Sequence, residues 1–146
     1  MRTKHENVYN CLKCNEILIK FNGLHDHMYL FVNELKKLDC SAHISCASRG
    51  RVEQEVYFQR GASNARYGKS AHNYGAAVDI FRIDEKGLLS YSEAWFNKTV
   101  GKLVKEWNKA GVYEPLDWYG AKGSEFYERP HVELDNWKKL GLKLAE

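Results

Sequence analysis

The sequence carries two histidines and an aspartate in two short, well separated blocks, Ser70-Ala-His72-Asn-Tyr-Gly75-Ala-Ala77-Val-Asp79 and Glu128-Arg-Pro-His131-Val-Glu133. Imidazole nitrogen and carboxylate oxygen are ligands that zinc accepts, and a catalytic zinc takes three protein ligands so that a fourth position stays open. His72, Asp79 and His131 supply such a set for one zinc ion, with Glu128 and Glu133 as carboxylates close by in the chain. Taken singly, each has an ordinary explanation, since a lone histidine is more often a satisfied core or surface residue and a lone aspartate an ion-pair member. The joint spacing is what argues for a metal.

These groups need rigid elements to hold them. Residues 76–81, Ala-Ala-Val-Asp-Ile-Phe, read as a strand. Period-two alternation puts Ala77, Asp79 and Phe81 on one face and Val78 and Ile80 on the other. A carboxylate among apolar neighbours is costly when unpaired, and a cation compensates it. Gly75 suits a sharp turn or a close backbone approach ahead of the strand. Residues 130–134 read as a second strand on which His131 and Glu133, two apart, face the same way, while Glu128 falls in the preceding loop. On geometry alone either glutamate can reach a water at the metal.

The remaining pattern places a helix over residues 6–20. Another is marked by the stripe Leu24, Met28, Phe31, Val32, Leu35, Leu38. A core strand is expected over 42–47, a short helix over 51–60, and a Gly- and Ser-containing loop over 61–69 bordering the cleft. Ser90-x-x-Glu93 reads as a capping box opening a helix that runs through Phe96, Val100, Leu103, Val104, Trp107 and Ala110 to Gly111. Leu116-Asp-Trp-Tyr119 is a further strand candidate. Helices first, then strands interleaved with one helix, predict an α+β domain with a small, mainly antiparallel sheet flanked by helices.

The pattern Ser-x-His-x-x-Gly-x-Ala-x-Asp, followed much later by an acidic residue, two more residues and a histidine, resembles the zinc peptidases grouped with D-alanyl-D-alanine carboxypeptidases and phage L-alanyl-D-glutamate endopeptidases, the LAS-type metallopeptidases. Ser70, His72, Gly75, Ala77, Asp79, Glu128 and His131 fill its fixed positions. Arg49 with Gln54 five residues on resembles the family's Arg-x-x-x-x-Gln segment. The resemblance runs from about Ile44 to Leu134. It implies that His72, Asp79 and His131 bind zinc, that Glu128 is the general base, and that Arg49 meets a substrate carboxylate, with Gln54 and Ser70 in the same substrate-binding region. Glu133 is then left to orient His131 through its other ring nitrogen. The implied reaction is peptide hydrolysis in peptidoglycan stem peptides, foremost at the L-alanyl-D-glutamate bond as in endolysins. The alternatives are a D,D-carboxypeptidase or D,D-dipeptidase acting on terminal D-alanines, and a zinc-binding domain without hydrolysis. Two stretches depart from the family pattern: Ala47-Ser48-Arg49 stands where relatives often carry Gly-Tyr-Arg, and Trp118-Tyr119-Gly120 where many show Trp-Gly-Gly.

The 146 residues fit one domain, with residues 1–40 as N-terminal helices and 42–134 as a catalytic core. A hydrophobic share of 44% against 28% charged residues is an ordinary globular balance, so neither a low-complexity tract nor a separate wall-binding module is expected. The net charge of +3 is spread in pairs such as Lys36-Lys37 and Lys138-Lys139, so nucleic-acid binding is not indicated. The polar N-terminus has no long apolar run. That predicts no signal peptide or membrane segment, synthesis in the cytoplasm, monomeric behaviour, and access to a cell wall only after release, by holin if phage-encoded. Cys11-x-x-Cys14 and the C-x5-C pair Cys40 and Cys46 are poor zinc-knuckle spacings. A structural zinc and a redox pair at Cys11 and Cys14 are the minor readings, inert thiols the main one. Cys46, in the apolar run 44–47, is expected to be buried as a small hydrophobe.

Overall fold

Helix α1 (Asp26–Leu38) forms where the stripe predicts it, and Met28, Phe31, Val32 and Leu35 are its buried face. His25 caps its start, with Nδ1 accepting the His27 N–H at 3.0 Å. The structure, a computed structural model, describes residues 23–120 and 129–145. The helix expected over 6–20, Cys11 and Cys14, and Glu128 lie outside the described residues.

Strand β1 (Ala42–Cys46) follows, then helix α2 (Arg51–Gln59), a 3-10 turn (Ala71–Tyr74) and strand β2 (Ala77–Ile83). Short strand β3 (Leu89–Ser90) precedes a helical stretch made of α3 (Glu93–Phe96), one π turn (Asn97–Gly101) and α4 (Lys102–Ala110). Strands β4 (Leu116–Trp118) and β5 (His131–Leu134) complete the sheet, in the order β1-β2-β5-β4 with β3 paired to β2. Every pairing is antiparallel. The α+β class with a small antiparallel sheet flanked by helices is the one the sequence predicts.

Alternation along β2 sorts its residues as expected. Val78 and Ile80 are fully buried and join Phe31, Leu35, Ile44, Phe96, Val100 and Val132 in the core between helices and sheet. Full burial of such side chains contributes roughly 1.5–3 kcal/mol each. Asp79 and Phe81 take the opposite face. That face carries the chemistry.

Two expectations about the second half need correction. The helix starts at Glu93 with Ser92 as its cap, not Ser90: the Ser92 hydroxyl accepts the Trp95 N–H, while Ser90 is extended because it pairs with Arg82 in the β2–β3 ladder. The helix is also not uniformly α-helical, since the π turn interrupts it where Gly101 meets the Trp118 ring. A Cβ on Gly101 would lie 2.5 Å from that ring. Among the described residues no helix is long and apolar enough to cross a membrane.

Candidate metal centre

Asp79 stands at the middle of the sheet, and the register sets its neighbours on both sides. It pairs with His131 of β5 on one side and with Cys46 of β1 on the other. Cross-strand partners project to the same face, so thiol, carboxylate and imidazole form one row across three strands. His72 reaches this row from the 3-10 turn just before β2. Ser70 caps the turn by accepting the His72 N–H at 3.3 Å, and Asn73 closes the capping box by accepting the Ser70 N–H at 3.2 Å.

Gly75 then swings the chain from the turn into the strand at φ +64°. A Cβ there would lie 2.0 Å from the Gly23 carbonyl oxygen, and the Gly75 carbonyl accepts the His25 N–H at 2.8 Å. The close approach read from the sequence is therefore real, and it ties the start of α1 to the loop that carries His72.

The two carboxylate oxygens of Asp79 are shared out. Oδ2 lies 3.3 Å from His72 Nε2 and Oδ1 lies 3.1 Å from His131 Nδ1, with the imidazole rings 5.1 Å apart. The far nitrogens are committed elsewhere. His72 Nδ1 is 2.8 Å from the Ala47 carbonyl, which can only accept, so that nitrogen carries the proton and Nε2 is the one turned to Asp79. His131 Nε2 is 2.8 Å from Glu133 Oε1, and Glu133 Oε2 accepts the Trp137 indole N–H at 2.9 Å. Outer partners that fix ring tautomer and orientation are how proteins prepare histidines as metal ligands.

Electrostatics follow from this contact chain. Burial opposes charge on His72, but its hydrogen bonds to Asp79 and Cys46 outweigh that and carry it up to about 10. Burial likewise disfavours an ionised Asp79, and the hydrogen bonds from His131 and His72 overturn it, holding the carboxyl well below its usual range. His131 is raised as well, its burial outweighed by Asp79 and Glu133. Without a metal the group pairs a protonated His72 with the Asp79 carboxylate, which also favours the proton on His131.

The donors suit zinc. Imidazole nitrogen and carboxylate oxygen are both zinc donors, and each ring nitrogen lies against its own oxygen of Asp79. Cys46, His72 and Asp79 also form a group whose donor atoms lie within 4.8 Å of one another.

Arg49 sits behind the row, 4% exposed. Its guanidinium stacks on Tyr57, donates to Gln54 Oε1 at 3.1 Å and to Cys46 Sγ at 3.3 Å, and lies 3.8 Å from Asp79 Oδ2. Gln54 is fully buried. Its oxygen takes Arg49 and the Asn73 amide, and its nitrogen donates to Ser63 and the Ala65 carbonyl, which pins the 61–69 loop. Gln54 thus positions Arg49 and the loop. In front, an open cleft of ≈ 490 Å³ is lined by Ser70, Tyr119, His131, Glu133 and Trp137, with Lys69 at its edge.

Two residues of this centre escape the sequence reading. Asn73 donates to the Arg49 carbonyl at 2.9 Å and to Gln54, and so locks the His72 turn onto the Arg49 segment. Its place beside His72 was the only signal. Cys46 is buried as expected, but against polar neighbours and not as a hydrophobe: its sulfur lies 3.7 Å from His72 Nδ1 and touches Arg49. Burial raises its thiol pKa, while His72 and Arg49 lower it to a net drop.

No protein-family model matches the chain, and no curated protein matches it. Among solved structures it is similar to the crystal structure of Serratia marcescens L-Ala D-Glu endopeptidase ChiX, with a TM-score of 0.65 at 18% identity over 84% of this chain and 88% of that one. At that identity the likeness is one of fold, and the chain has the fold of an L-Ala D-Glu endopeptidase.

Proposed function

We propose that the protein is a zinc-dependent peptidase acting on peptidoglycan stem peptides, with the L-alanyl-D-glutamate bond as its target. The observation that carries this reading is the convergence of His72, Asp79 and His131, the residues that would hold zinc, with each imidazole fixed by its own outer partner and His131 lining an open cleft. The fold shared with an L-Ala D-Glu endopeptidase supports the substrate class.

Zinc, when bound, would supply a Lewis acid at the scissile carbonyl. The chain's own residues do the rest. Glu128, assigned by the family pattern, takes the proton of the attacking water and returns it to the leaving amine. Glu133 holds the His131 ring through Nε2, and the Ala47 carbonyl holds His72 through Nδ1. Arg49 is assigned to a substrate carboxylate by the family pattern, a role in which a lysine would serve less well. Ser70 borders the cleft while capping the His72 turn. In this reading the enzyme acts as a monomer on the cell wall.

The test is product analysis on a defined muropeptide. Zinc-loaded protein should expose a new N-terminal D-glutamate, and Glu128→Gln should abolish it. Release of D-alanine or its dipeptide with the L-alanyl bond intact would replace the endopeptidase with a D,D-peptidase. Bound zinc with no cleavage of either bond would leave a binding domain.

A further inference from the structure

Cys46 reaches the metal row only because β1 is irregular. Ile44 pairs with Ile80 on the core face, and regular alternation would set Ser45 opposite Asp79 and return Cys46 to the core. A bulge between Ile44 and Cys46 adds one residue. Ser45 is turned to solvent, and Cys46 becomes the partner of Asp79. Bulges beside functional sites re-aim a side chain in this manner.

The re-aimed sulfur does not meet an apolar lining. It lies 3.3 Å from Arg49 Nη2 and 3.7 Å from His72 Nδ1, with donor atoms of Cys46, His72 and Asp79 all within 4.8 Å. Arg49, whose guanidinium contacts both Cys46 and Asp79, keeps a buried Nε with no hydrogen-bond partner. Polar capacity around the group therefore exceeds what the protein itself satisfies. A guanidinium against the sulfur also suits a thiolate, which is the ligating form of cysteine.

We propose that Cys46 is a further donor to the metal at this centre, making it a mixed thiolate, imidazole and carboxylate site. The proposal rests on the metal reading above and adds a ligand to it. The sulfur now faces His72 Nδ1, the nitrogen bonded to Ala47, so ligation beside Nε2 requires Sγ to move toward Asp79. The S–H bond is replaced by a sulfur–zinc bond, and the thiol proton passes to solvent. A soft donor of this kind shifts preference toward zinc and away from manganese or magnesium. It also gives the ion four protein donors, so the thiolate must yield a position when substrate enters.

The decisive experiment uses the full chain, stripped with a chelator and reloaded with one equivalent of metal. X-ray absorption on the zinc form should show one sulfur scatterer at about 2.3 Å beside the nitrogen and oxygen shell. The cobalt(II) form should show a near-ultraviolet sulfur-to-metal charge-transfer band. That band should persist when Cys11, Cys14 and Cys40 are all changed to Ser and vanish in Cys46→Ser, which still binds one cobalt ion. A pure nitrogen and oxygen shell in the wild type, or a band that survives Cys46→Ser, overturns the proposal while leaving the His72, Asp79 and His131 site standing. Wild-type protein that binds no metal overturns both. Because the zinc spectrum needs only the wild type, the proposal stays open to refutation even if Cys46→Ser fails to fold.

Discussion

Metal binding should be strongly coupled to proton release. In the metal-free protein His72 is carried up to about 10 by Asp79 and Cys46, so its ring holds a second proton at neutral pH, and Asp79 and Glu133 raise His131 as well. Zinc takes neutral imidazole, so the His72 nitrogen facing Asp79 must give that proton up. At pH 7 a group titrating near 10 is deprotonated about one part in a thousand, a competition of about 4 kcal/mol on His72 alone. At least one proton is therefore expected to leave per zinc, and the apparent affinity should rise at least about 10-fold per pH unit between pH 7 and 9. Titration calorimetry in two buffers of different ionisation enthalpy measures the number directly. The measurement belongs in the wild type, where Cys46 still supports His72. Asp79→Asn, which removes the carboxylate that favours the proton on each ring, should release fewer while binding zinc more weakly. Release near zero at pH 7.5 in the wild type would mean the rings are already neutral and would refute the imidazolium–carboxylate description.

Other consequences follow from the same contacts. The raised His72 stabilises the metal-free fold fully below its ordinary 6.5 and loses that contribution as pH rises through about 10, while the depressed Asp79 stabilises above its ordinary 3.8 and fails as pH falls. Urea denaturation of chelator-treated protein should thus give a maximum between about pH 4 and 6.5 and a decline toward pH 10, and a flat profile over that decline would contradict the account. Gly75→Ala forces a left-handed backbone on a residue whose Cβ would meet the Gly23 carbonyl at 2.0 Å, so a loss of about 3 kcal/mol or more is expected in denaturant melts, with weaker metal binding because His72 shares the loop. Glu133→Ala frees the His131 ring and should lower zinc affinity roughly 10- to 100-fold in competition with a chromophoric chelator, with the protein still folded.

The parts of this fold that sequence made legible are those whose period was undisturbed. The α1 stripe, the alternation along β2 and the glycine-stopped helix ending at Ala110 are read from local spacing, because one buried face was enough to define each. What stayed hidden depended on partners far away in the chain. The helix start moved to Ser92 because Ser90 is committed to the β2–β3 ladder, and the π turn answers to Trp118, fifteen or more residues downstream. Cys46 shows the same limit at the site. By period two it belongs to the core with Ala42 and Ile44, and neither a glycine nor a proline announces the bulge that turns it toward Asp79. The candidate ligands His72, Asp79 and His131 were legible from their spacing, whereas the partners that hold their rings, Ala47 through its backbone carbonyl and Trp137 through Glu133, were not.

The central claim is that His72, Asp79 and His131 form the zinc centre of a peptidoglycan peptidase. It is tested most directly by zinc content and peptidoglycan cleavage measured together on wild type and His72→Ala, with new termini identified by mass spectrometry. One zinc per chain and new N-terminal D-glutamate in the wild type, both lost in His72→Ala, is the predicted result. Cleavage that persists in a zinc-free His72→Ala protein, or a wild type that binds zinc and leaves the wall intact, would contradict it.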